Sequence, residues 1–116
     1  MLKFSVYHPE RCEELCAPYF TPAWKDKVTL AAAGKEWMDS TPPEGEKSTA
    51  VEFIRQRLGI SLEETCTFGD NLNDIAMLRK AGMSYAVANA RAEVQAAARK
   101  VCPSYSEDGV LQILKR

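Results

Sequence analysis

The stretch CTFGDNLNDIAML, residues 66–78, places two aspartates and two asparagines within five consecutive positions (70–74), between an uncharged apolar run and an amphipathic one. The run before it, TCTF (65–68), is β-prone and carries no charge, as a strand covered on both faces should be. The run after it, NDIAMLRKAG (73–82), brings Ile75 and Leu78 to one side at helical spacing, with Asn73 or Asp74 as its cap and Gly82 as its end. An acidic turn therefore joins the carboxyl end of a strand to a helix, the place where ligands bind in open α/β sheets. Gly69 permits a sharp departure from the strand, so Asp70 and Asp74 can approach one point. Two hard oxygen anions beside a helix start suit a small divalent cation, Mg²⁺ in particular, which completes its shell with water and phosphate oxygens. The same residues are also common helix caps and turn formers, and spacing alone leaves both readings open. An EF-hand loop is excluded, because Leu72 stands at its third position, where a ligand belongs, and Ile75 at its sixth, where its glycine belongs.

Outward from the turn, short apolar runs alternate with helices. MSYAV (83–87) is a strand, RAEVQAAARK (91–100) a helix, VC (101–102) a short strand, and EDGVLQILKR (107–116) a closing helix or turn. Upstream, KSTAVEFIRQRLG (47–59) repeats Val51, Ile54 and Leu58 at helical spacing and ends at Gly59, and SLEE (61–64) has the pattern of a capping box. TPPEGEK (41–47) is the one convincing linker. Before it, LKFSVYH (2–8) reads as a strand and PERCEELCAPYF (9–20) as a helix that Pro18 and Pro22 bring to an end. KVTLAAAG and KEWMDST read as a hairpin about Gly34 and Lys35. The fold class is α/β: a partial, Rossmann-like parallel sheet with helices in residues 43–116, preceded by a smaller α/β portion in residues 1–42.

Composition narrows the function. Lys and Arg number 15 against 16 Asp and Glu, so no long-range field favours nucleic acid or an anionic membrane surface. No run of roughly 18 apolar residues and no signal-peptide zoning occur, and a cytoplasmic address is the expectation. The four cysteines are scattered, which favours reduced thiols over a disulfide framework. His8, Cys12 and Cys16 share a helix face but lack a fourth ligand, so buried thiols are preferred to a metal site. Trp24 and Trp37 are read as packing residues before substrate-surface ones.

FGDNLNDIAML resembles the GD-x-x-ND motif of the haloacid dehalogenase superfamily, and its flanks resemble the Cof-like sugar-phosphatase branch. MDSTPPEGEKSTA, LGISLEETCTFGDNLNDIAMLRKAG, YAVANARAEVQAAA and EDGVLQIL are similar, in order, to successive stretches of that branch. The likeness runs from about residue 36 to the end, with residues 1–35 resembling the end of the branch's α/β cap domain. The resemblance implies a Mg²⁺-dependent phosphomonoester hydrolase working on a small phosphorylated metabolite through an aspartyl-phosphate. It makes Asp70 a metal ligand and Asp74 a second metal-site residue, in the second shell or through a bound water. Asn73 would contact the phosphate, and Lys47 would neutralise the phosphoryl group. Ser48 stands where the family often has glycine.

The family's nucleophile, an aspartate two positions before a second one, has no counterpart, since no D-x-D occurs in the sequence. The expectation is a carboxyl-terminal portion of a longer hydrolase, inactive alone, with an exposed strand edge that favours a homodimer or strand swap. The alternative is a non-catalytic α/β binding or interaction module on the same scaffold.

Overall fold

The structure is a computed structural model that describes residues 3–116; the expected strand start at Leu2 lies outside the described residues. Two three-stranded sheets form. The first holds β1 (Phe4–Tyr7), β2 (Thr29–Ala33) and β3 (Trp37–Thr41), antiparallel in the order β1-β3-β2. The hairpin closes with Ala33 opposite Trp37, and Gly34 takes φ +82°, a conformation that favours glycine.

Strand alternation divides this sheet into two faces. Met38 and Ala32 lie on one, buried near helix α1 (Cys12–Trp24). Ser5, Asp39 and Ala31 form a row across the other. Helix α1 does not stop at its prolines but runs through Pro18 and Pro22. Each proline withholds a donor from the carbonyl four residues earlier, Glu14 or Pro18, and all of these residues sit on the solvent side where water can take over.

The second sheet is parallel: β4 (Cys66–Gly69), β5 (Met83–Val87) and β6 (Lys100–Cys102), in that order. Helices α3 (Ile75–Lys80) and α4 (Ala92–Ala97) make the two crossovers. Leu78, Ala86 and Val94 are the buried centre, with Leu72, Ile75, Ala90 and Ala98 around them. Helix α5 (Gly109–Leu114) closes the chain.

Helix α2 (Lys47–Leu58) leads into this sheet and lies against α3. It ends as expected at Gly59, φ +68°, with the Ile60 N–H on the Arg55 carbonyl at 2.9 Å. Of its apolar stripe, Val51 lines a crevice with Met77 and Ala81, whereas Ile54 and Leu58 stay 56% and 66% exposed. Among the described residues β4 pairs only with β5, so its outer edge is bare as well.

Polar links join the two sheets. Arg91 beside α4 donates to both carboxylate oxygens of Glu13 on α1, at 3.1 and 2.7 Å. The Thr29 hydroxyl on β2 donates to Glu46 at 2.5 Å, one residue before α2. Among the described residues no helix is long and apolar enough to cross a membrane.

Candidate functional site

The acidic turn folds back on itself. Asn71 caps a single 3-10 turn, Leu72–Asp74, from which α3 continues. Asp74 occupies the N-cap position of α3, as expected, without a side-chain cap bond there; the side-chain cap is Asn71 on the preceding turn, and Asp74 is its reciprocal partner three residues on. The Asp74 carboxylate is buried, 2% exposed, and its Oδ2 accepts the backbone N–H groups of Asp70 (3.0 Å) and Asn71 (3.2 Å). Its Oδ1 accepts from Lys47 Nζ, reaching across from the first turn of α2.

Space, not backbone freedom, explains Gly69. Its φ is not positive, but a Cβ there would lie 2.7 Å from the Asp74 Cβ and 3.1 Å from Leu78. The bare α-carbon lets the carboxylate tuck beneath the strand end.

Electrostatics follows from this packing. Burial pushes the Asp74 carboxyl up, but the Lys47 ammonium and the two N–H groups outweigh burial and hold it below the usual carboxylate range. Lys47 itself stands at a helix start, where the dipole disfavours a cation, so the ion pair with Asp74 is what offsets that position. Its side chain is still 53% exposed, which leaves donors for a further anion.

Lys47 and Asn73 line one cleft of about 410 Å³, whose opposite wall comes from the first sheet through Lys3, Thr29 and Asp39. The Asn73 side-chain oxygen is buried and has no hydrogen-bond partner, a condition that buried polar groups seldom tolerate. Asp70 is exposed at the end of β4 and is not part of the cleft lining. Lys47, Asp74 and Asn73 are therefore brought together, with Asp70 beside them on the solvent side.

Magnesium typically takes about one or two carboxylates and fills its remaining positions with water and phosphate oxygens. The donor set fits that habit through Asp70, whose carboxylate is open, while both Asp74 oxygens already accept hydrogen bonds. Among the described residues no group of three or more His, Cys, Asp and Glu side chains could hold a metal by itself. His8 and Cys12 are occupied otherwise: His8 Nδ1 accepts the Arg11 N–H at 3.2 Å, and the Cys12 thiol donates to the Val6 carbonyl at 3.3 Å.

A family model described as haloacid dehalogenase-like hydrolase matches residues 1–114. The chain belongs to this family. A crystal structure from Eubacterium rectale is 55% identical, with a TM-score of 0.76 over 99% of this chain and 43% of that one. The structure of BT4131, a sugar phosphatase of HAD subclass IIB, is 30% identical, with a TM-score of 0.85 over 98% of this chain and 42% of that one. Among curated relatives, the 5-amino-6-(5-phospho-D-ribitylamino)uracil phosphatase YbjI of Escherichia coli is 36% identical over 78% of this chain and 34% of its own length. The chain spans about a third of the length of the curated phosphatases it matches. The α/β fold and the Cof-like branch expected from the motif are those of these neighbours.

The polar groups of the first sheet escaped sequence reading. Asp39 accepts the Ser5 hydroxyl and the Lys3 ammonium, both at 2.7 Å, and only β-pairing across 34 or more residues brings them together. Period-two alternation does set Asp39 and Thr41 on one face, and that was the available signal. Trp24 and Trp37, read as packing residues, are 47% and 42% exposed. Trp37 packs against Tyr7 with ring centroids 4.7 Å apart and planes tilted by 49°, and Lys27 sits 5.3 Å over the Trp24 ring.

Proposed function

We propose that this chain carries the magnesium- and phosphate-binding part of a phosphatase acting on small phosphorylated metabolites, sugar phosphates among them. One observation carries the reading: Lys47 is pinned by a buried aspartate, yet remains half open at the mouth of a cleft shared with Asn73. A fixed ammonium at that point opposes charge on phosphoryl oxygens without having to reorganise. Asn73 contacts the phosphate, and Asp74 acts indirectly, by holding Lys47 and the turn. Asp70 would hold the Mg²⁺, with Asp74 behind it in the second shell. The ion supplies further positive charge at the phosphoryl group.

No aspartate pair of the nucleophile type occurs in the 116 residues, so the attacking carboxylate comes from other polypeptide. That polypeptide docks along the bare β4 edge, which in its absence favours pairing with a second copy or a strand swap. The near-neutral balance of charge fits metabolite substrates over nucleic acid or membrane, and free thiols fit a cytoplasmic location.

Two measurements test this. Titration of the ¹⁵N-labelled chain with inorganic phosphate should shift the resonances of Lys47 and Asn73, and Lys47→Ala should weaken binding by about tenfold; an unchanged spectrum refutes the reading. Loss of a covalent nucleophile typically costs several orders of magnitude in rate. The 116 residues alone should therefore hydrolyse p-nitrophenyl phosphate no faster than a Lys47→Ala, Asp70→Ala control, and turnover above that control would show that the external nucleophile is unnecessary.

A further inference from the structure

The chain passes between the two sheets once, through residues 42–46. Beside that crossing the Thr29 hydroxyl holds Glu46, and both residues line the cleft that Lys47 faces. The other polar link, Arg91 to Glu13, lies outside the cleft lining. The apolar seam between the sheets is hollow on both sides: Leu30, Ala31 and Leu72 line the cleft and also, with Glu13 and Ala17, a second crevice of about 260 Å³. A close-packed seam would fix the orientation of the two sheets by itself, and this one is not close-packed.

Arg91 is placed against local rules. It stands at the N-cap of α4, where Ser, Thr, Asp or Asn is preferred; its side chain caps nothing, and its charge sits at the helix end that favours anions. The compensating gain is long-range, a two-pronged pair with Glu13, 78 positions away in the sequence. Glu13 lies in the first turn of α1, where a carboxylate suits the dipole. Competing charges nearby are already taken, since Arg11 and Glu14 bind each other at 2.9 and 2.7 Å. The guanidinium also holds the Glu13 carboxyl below the usual carboxylate range.

We infer that Glu13 and Arg91 are positioning residues: their ion pair fixes the first sheet in its orientation over Lys47, the Thr29–Glu46 side is the pivot, and salt releases the pair. The two side chains are 43% and 37% exposed, so mobile ions reach them and screen their attraction. The covalent crossing and the apolar seam are not screened, and they keep the sheets together when the pair lets go. Release turns the wall that carries Asp39 and Thr41 relative to Lys47, and so changes the width of the cleft. The Lys47–Asp74 contact is unaffected, because both partners belong to the second part of the chain.

The test measures residual dipolar couplings of the backbone N–H groups in the 116-residue chain, aligned in an uncharged stretched gel that tolerates salt. In about 0.01 M salt, where charges act across roughly 30 Å, the couplings of β1–β3 and β4–β6 should fit one common alignment tensor. In about 1 M salt, where that reach falls to roughly 3 Å, the common fit should be lost while each sheet still fits a tensor of its own. Arg91→Ala should lose the common fit at low salt already. Glu13→Arg alone should do the same, and Glu13→Arg combined with Arg91→Glu should restore it, which a merely structural loss at either position would not. A common tensor that survives high salt in the parent, or survives Arg91→Ala, overturns the inference, as does a charge-reversed pair that fails to restore it. The salt series on the parent chain decides the matter even if a variant does not fold. No ligand enters these measurements, so their outcome is separate from that of phosphate binding at Lys47.

Discussion

The acidic turn and helix α2 meet through Lys47 and Asp74, yet the turn and the outer side of that helix are opposite in completeness. In the turn, the buried carboxylate of Asp74 has three donors, two from the backbone within four residues and one from Lys47. On the outer side of the same helix that supplies Lys47, Phe53, Ile54 and Leu58 are 65%, 56% and 66% exposed, and the nearby strand β4 leaves an edge unpaired among the described residues. The buried Asp74 carboxylate is satisfied internally, and the apolar surface of α2 is not covered. On the proposed reading, the phosphate contacts come from this chain's own residues, whereas the apolar surface of α2 and the β4 edge wait on a partner.

This contrast can be broken most sharply at Asp74. Asp74→Ala leaves two backbone N–H groups without an acceptor and frees Lys47 from its partner. An unsatisfied buried donor costs about 1–3 kcal/mol, so a loss near 3 kcal/mol is expected in urea unfolding. A loss below about 1 kcal/mol would mean that the turn is as loosely held as the outer surface. Next in size is Gly69→Ala, whose Cβ would intrude on Asp74 and Leu78. Overpacking of this kind costs about 1–3 kcal/mol, and it should weaken phosphate binding too, because it displaces the carboxylate that positions Lys47. Stability loss with unchanged phosphate affinity would uncouple the packing from the site.

The pH arm is smaller and has a definite sign. The Asp74 carboxyl titrates lower in the folded protein than in the unfolded chain, so its contribution is complete above the ordinary carboxylate value of about 3.9 and is lost as pH falls through the folded value. The difference in unfolding free energy between the parent and Asp74→Asn should be constant near neutrality and shrink below about pH 4. A difference that is unchanged down to pH 2.5 would show that the carboxylate is not held as the ion pair implies.

What the sequence revealed and what it hid divide along the same line. The strand–turn–helix at 66–80, the hairpin about Gly34 and the Gly59 terminus follow from local periodicity and turn chemistry, and all three form where expected. Asp74 stands at the N-cap of α3 as the periodicity implies, but the side-chain cap is Asn71, which closes a reciprocal N-x-x-D pair with Asp74 one turn before the apolar run. Helix α1 outruns its prolines because their cost depends on whether the orphaned carbonyls meet water, a tertiary fact. Lys47 follows from the family resemblance and Asp74 from the acidic turn; their direct contact is a long-range one that no local rule supplies. The same holds for Asp39, whose partners Lys3 and Ser5 arrive through a β-pairing across the sheet.

The smallest effect on stability has the largest bearing on assembly. Ile54→Ser with Leu58→Ser removes apolar groups that already meet solvent, so unfolding free energy should change by less than about 0.5 kcal/mol. The helix keeps its packing on α3 through Ser48 and Val51, which face the crevice shared with Met77. If the bare surface beside β4 seeks a partner, however, the parent chain should show a concentration-dependent mass in sedimentation that the double variant loses, with its Lys47 and Asn73 phosphate shifts retained. A parent that stays monomeric at every concentration would remove the self-association reading and leave the exposed stripe without a role in joining two copies. A double variant that unfolds readily would contradict the exposure itself. Because association alone is expected to respond at this surface and stability at Asp74, the two sets of measurements separate a turn held by its own residues from a surface that awaits a partner.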